Sequence, residues 1–220
     1  MTRITIATVV ALACASPCLA QQRPITELDV AGVRLDATAD DARAALLRNG
    51  YRIRDTQPTS SFEQEVAQEV ARRQRRAVPF RTNGGVSSIH ATGPHQESMV
   101  VQFHQRAGGS RVSEVTVQVP PEAMTAEAFR DQVAAKYGKP HAVRDQGLTS
   151  YWCSPEVARV CGVTYVPEGP LGEAYPMLTA RTGIGSSLRL SAGSEAEKVA
   201  RRERDVAVER LAPKTDRAAF

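Results

Sequence analysis

The residues best suited to chemistry in this chain are four histidines, His90, His95, His104 and His141, and two cysteines, Cys153 and Cys161. His90 and His104 fall in segments that alternate apolar and polar residues. On neighbouring strands they would face the same way, and His95 or Glu97 could complete a metal site. The same positions equally suit polar residues on the wet face of a sheet, and no metal ligand is assigned. Cys153 and Cys161 do not have the Cys-x-x-Cys spacing of a redox pair. In an oxidising compartment an even pair is expected to form a disulfide. It would staple a hairpin whose loop is Ser154 to Val160, with Trp152 packing nearby. No Gly-x-Ser-x-Gly elbow or Gly-x-x-x-x-Gly-Lys phosphate loop is present. Gly183-x-Gly185 lies between two strand signals and reads as a hairpin turn rather than a dinucleotide site. No catalytic residue and no cofactor is assigned, and the chain is read as a non-enzyme.

The oxidising compartment is inferred from the first twenty residues. Arg3 supplies a positive start and Ile4 to Ala15 a short apolar run. Cys18 and Ala20 then place small residues at a signal-peptidase site, with Gln21 as the new N-terminus. The expectation is a periplasmic or secreted protein. Cys14 follows Leu12-Ala13 as a lipid-attachment cysteine would, but Ala11 stands where a bulky aliphatic residue is required, so no lipid anchor is expected. No later run is apolar and long enough to span a membrane as a helix. The hydrophobic content of 42% suffices for a core. The formal charge of +4 is interleaved with acids rather than gathered with aromatics, which argues against nucleic acid as a partner.

The elements that must position these residues follow from periodicity. Val30 to Leu35 alternates like a short strand. Thr38 with Asp41 predicts a capped helix over 39–49, stopped by Gly50. Ser60 with Glu63 predicts a second helix over 61–76, with Phe62, Val66 and Val70 as its apolar stripe. Its late arginines, Arg72, Arg73, Arg75 and Arg76, suit a solvated helix end or an anionic-partner patch. Strand signals follow at 86–91, 99–104 and 115–119, the last two joined through Gly108-Gly109. Thr125 caps a helix over 126–137 that carries Phe129, Val133 and Tyr137 and ends at Gly138. Further strand signals fall at 148–153, 161–166, 177–182 and 187–191. Ser194 with Glu197 predicts the cap of a last helix reaching Leu211. Together these give an α+β fold, an antiparallel sheet with helices on one face and water on the other.

Thr38-Ala-Asp-Asp-Ala-Arg43 aligns with Thr125-Ala-Glu-Ala-Phe-Arg130, 87 residues on. Two tandem repeats and a chance match both remain open. The corresponding division is residues 1–20 as signal peptide, 21–122 as a first α+β repeat, 123–194 as a second with the disulfide hairpin, and 195–220 as C-terminal helix and tail.

Gly32-Val33-Arg34-Leu35, Thr38, Asp41-Ala42, Leu46 and Gly50-Tyr51 resemble the short helix of small bacterial envelope proteins. These are the outer-membrane-assembly lipoproteins of the SmpA/OmlA type and the β-lactamase-inhibitor-like repeat. Lys136-Tyr137-Gly138-Lys139-Pro140, followed by Tyr151-Trp152, resembles their segment of helix, Gly-x-Pro and aromatic strand. The resemblance covers residues 30–51 and 124–152 and carries no catalytic residue. It implies a binding, assembly or inhibitor-type module whose partner is another envelope protein. The alternative is a periplasmic hydrolase or metal-dependent enzyme with an unrecognised site. An enzyme should show a deep pocket with clustered titratable groups; a binding module should show a shallow apolar or concave sheet surface.

Overall fold

The computed structural model describes residues 24–78, 83–154, 157, 160–162 and 175–212. The signal-peptide reading, most of the strand expected over 161–166 and the polar tail lie outside them.

A two-stranded hairpin, β1 (Asp29–Val30) and β2 (Val33–Arg34), opens the described chain. Helix α1 (Ala39–Arg48) follows, with the Thr38 hydroxyl accepting from the Asp41 N–H. Gly50, at φ +77°, closes it in the left-handed conformation. Next come β3 (Arg52–Thr59), α2 (Phe62–Arg73), β4 (Gly85–Thr92), β5 (Ser98–Arg106) and β6 (Gly109–Val119). Helix α3 (Ala126–Tyr137) starts the second half, with Thr125 accepting from the Ala128 N–H. Then follow β7 (Ala142–Arg144), β8 (Thr149–Cys153), β9 (Met177–Arg181), β10 (Ser186–Ser191) and α4 (Gly193–Leu211).

Strands β3 to β10 form one antiparallel sheet of eight, in the order β3-β4-β5-β6-β10-β9-β8-β7. Each half is therefore a capped helix followed by four strands laid in sequence. The halves meet where their last strands, β6 and β10, pair antiparallel. The Thr38 and Thr125 caps, 87 residues apart in sequence, occupy the same place in the two halves. The insertions differ: α2 stands between β3 and β4, whereas the second half inserts residues 154–176 between β8 and β9.

Register sorts the strands into rows that cross the sheet. One row runs Ile53, Ala91, Met99, Val117, Leu188, Ala180, Ser150, Val143. The next on that face runs Thr56, Ile89, Val101, Val115, Leu190, Leu178, Trp152. Their interior members belong to one core with Ala42, Ala45 and Leu46 of α1 and Phe129, Val133 and Tyr137 of α3. Alternation along each strand thus aims one side chain in two under the helices. Tyr137 anchors α3 twice more: its hydroxyl donates to the Asp29 carbonyl at 2.7 Å, and its ring meets that of Trp152.

Several expectations shift. The capping box on α2 is Ser61 with Gln64, one residue later than Ser60 with Glu63. Helix α4 begins at Gly193 after Ala192, with no side-chain cap from Ser194. It does not join the core helices: Glu203 takes both ends of the Arg106 guanidinium of β5, at 2.6 and 2.8 Å, and Val208 packs with Phe62 and Val66 of α2. Two strands were not expected at all, β3 and β7, and they are the two edges of the sheet. Cys153 and Cys161 are joined in a disulfide. It does not pin two paired strands, however. Cys161 lies in a turn, and the strand residue opposite Cys153 is Met177 of β9. The bond closes a loop beside the end of β8. Trp152 and Cys153 do point to opposite sides, Trp152 into the main core and Cys153 into a small cluster with Val157 and Cys161.

Candidate docking face

The face turned away from α1 and α3 carries three further rows. The first is Arg52, Thr92, Ser98, Gln118, Ser187, Arg181, Thr149, Arg144. The second is Asp55, His90, Val100, Thr116, Arg189, Thr179, Tyr151, Ala142. The third is Gln57, Ser88, Gln102, Glu114, Ser191, Met177, Cys153. Every member of the first row is polar, and both halves of the chain contribute to each row. Strands spaced by ~4.8 Å give eight of them a width of roughly 34 Å.

Helix α4 borders the far end of this face, beyond the third row. There a hollow of about 390 Å³ is lined by Gln102, His104, Glu114, Arg189 and, from α4, Ser194 and Glu197. Burial holds the His104 imidazole below its usual pKa, and the Glu197 carboxylate only partly offsets this. Arg189 reaches Glu114 at 2.7 Å. At the opposite end, within the first row, a second hollow of about 410 Å³ is bounded by Ser98, Gln118, Ser187, Gln96, Pro120 and Gly185.

The histidines do not assemble a metal centre. His90 and His104 do occupy neighbouring strands and the same face, but His90 is opposite Val100, four residues from His104. Four residues of strand are ~13 Å, far beyond a shared ion. His90 instead hydrogen-bonds Ser88 at 3.1 Å. Glu97 is turned away from both, folded over the β4–β5 turn, where it accepts from the His95 N–H at 2.8 Å. A Cβ at Gly93 would lie 2.1 Å from Oε1, so a larger residue there would displace that carboxylate. His141 is a structural acceptor: the Cys153 N–H donates to its Nδ1 at 3.2 Å.

On the helix side a smaller hollow, about 240 Å³, gathers Tyr51, Glu97, Lys136 and Tyr137 beside α3. Burial, then the Glu97 charge, raises Tyr51 well above the usual phenol range; burial, then Asp29, does the same to Tyr137. These groups are spent on the fold: Tyr51 hydrogen-bonds Glu97, while Lys136 and Tyr137 hold Asp29.

No protein-family model, curated protein or solved structure matches this chain.

Proposed function

We propose that this chain is an exported envelope protein, periplasmic or secreted, that docks another envelope macromolecule on the polar face of its sheet and catalyses no reaction. One observation carries the reading: three rows of side chains, the first wholly polar and the other two mostly so, run across the seam between the halves, so that both halves build one surface. Its extent, roughly 34 Å by 20 Å or ~700 Å², is close to the ~800 Å² that each partner contributes to a standard interface. The supporting core is apolar and tightly layered, which holds the rows in fixed register. The export part of the reading rests on the N-terminal sequence, and the disulfide suits an oxidising compartment. The enzyme alternative has its titratable groups in two hollows: that at Tyr51 and Tyr137 is smaller than the ~300 Å³ at which ligand pockets begin, and in the larger one beside His104 the Arg189 and Glu114 charges are spent on each other.

The test blocks the face. Thr116→Cys, at the centre of the second row, is capped with a bulky polyethylene-glycol maleimide; Asp131→Cys, on exposed α3, receives the same cap as control. An envelope protein retained by the mature chain and by the capped Asp131→Cys form should be lost from the capped Thr116→Cys form. Equal retention by all three would overturn the reading.

A further inference from the structure

The first polar row differs from the other two in charge. It contains Arg52, Arg181 and Arg144 and no acidic residue, whereas the second holds Asp55 and the third Glu114. The three arginines are exposed. Among the described residues none of them has an ion-pair partner, in contrast to Arg73, Arg106, Arg189 and Arg204, each held by a carboxylate. Between them lies the hollow whose walls include Ser98, Gln118 and Ser187, neutral hydroxyl and amide groups with hydrogen-bonding capacity. The row also lies at the end of the face away from α4.

We infer that this row docks a carboxylate-rich protein surface: side-chain carboxylates of the partner meet Arg52, Arg181 and Arg144, and a polar side chain enters the hollow between them. The inference rests on the reading of this face as the docking surface and names its partner chemistry. Guanidinium groups match carboxylates in planar, two-pronged contacts. Spaced by strands, Arg52 and Arg181 are ~24 Å apart and Arg181 and Arg144 ~10 Å. Three separated cations around a recess suit a protein surface with relief. A flat anionic lipid layer is better served by a dense basic cluster beside exposed apolar side chains, and the row has none of the latter.

The probe is a short poly-L-glutamate peptide, titrated at low salt against the mature chain. Two variants remove equal charge: R52Q/R144Q/R181Q from the row, and R75Q/R76Q/R130Q from exposed positions just after α2 and on α3. Denaturation followed by Trp152 fluorescence establishes that both fold. Loss of three exposed ion pairs should weaken peptide binding about tenfold in the row variant. The control variant should bind nearly as the parent does, and peptide-induced amide shifts should centre on Ser98, Gln118 and Ser187. Equal losses in the two variants would overturn the inference, since net charge alone would then explain binding. So would phosphatidylglycerol vesicles that compete the peptide off the row while binding more tightly. If the row variant keeps the envelope partner that capped Thr116→Cys loses, the inference fails and the docking face stands.

Discussion

Arg189 of β10 and Glu114 of β6 form a 2.7 Å ion pair across the seam where the two halves of the sheet meet. The pair is diagonal, since Arg189 is opposite Thr116 and Glu114 opposite Ser191. Its acid is largely enclosed and its guanidinium half exposed, so water screens it in part. A double-mutant cycle with Arg189→Ala and Glu114→Ala, read by urea denaturation, should give a coupling of about 0.5–1 kcal/mol. The coupling should shrink at high salt. A value indistinguishable from zero at low salt would mean that the seam is held by its apolar rows alone.

The disulfide should stabilise by restricting the unfolded chain. Its cysteines are separated by 8 in sequence, a short loop, for which chain entropy gives about 2–3 kcal/mol. The Cys153→Ser, Cys161→Ser chain should therefore unfold at lower denaturant concentration, with an m-value no smaller than the parent's. Because the bond closes a loop and does not pair two strands, the β8–β9 register should survive, and Trp152 should keep its native emission. Two readily alkylated thiols in the native protein without reductant would contradict the bond.

Tyr51 and Tyr137 make stability sensitive to alkali. Both phenols are pushed up in the folded protein, so the unfolded chain loses its protons first. Their contribution is complete below the unfolded tyrosine value of about 10 and is lost progressively above it. Melting temperature should fall as pH rises past that point. Tyr137→Phe removes the hydrogen bond to the Asp29 carbonyl, costing ~1 kcal/mol at neutral pH, and should flatten the alkaline slope. An unchanged slope in both Tyr51→Phe and Tyr137→Phe would show that neither phenol is linked to folding.

His104 acts at the other end of the pH scale. Burial lowers its folded pKa, so the unfolded state takes up the proton more readily. Its stabilising effect is present above about pH 6.5 and is lost as pH falls through that value. His104→Gln should weaken the acid dependence of unfolding between neutral pH and pH 5, without changing the metal content of the protein. Stoichiometric zinc that disappears with this substitution would reverse the geometric argument against a metal site.

What the sequence disclosed follows from where burial is one-sided. The inner strands β5, β6, β9 and β10 have one face under α1 and α3, so Met99, Val101 and Phe103, or Val115, Val117 and Val119, alternate legibly. The edges do not. Strand β3 carries Arg52, Arg54, Asp55 and Pro58, which protect an open edge against pairing and erase the alternation. Strand β7 has only three residues. Helix caps were legible at Thr38 and Thr125, because a side-chain hydroxyl does the capping. At α4 no side chain does, and the sequence misdirected attention to Ser194. The polar rows could not be read at all: Arg52, Arg181 and Arg144 become neighbours only through register, which depends on long-range pairing.

The antiparallel pairing of β6 with β10 has a consequence for how the chain can reach this structure. Neither four-stranded half can present the whole polar face, because each row is completed only across the central pair. A chain cut or stalled before Ser186 would hold β6 as a bare edge, its valines under cover but its backbone donors and acceptors open to any passing strand. The face therefore comes into being only once the last strand has been received, and a first half that folded before then would carry β6 as an adhesive edge.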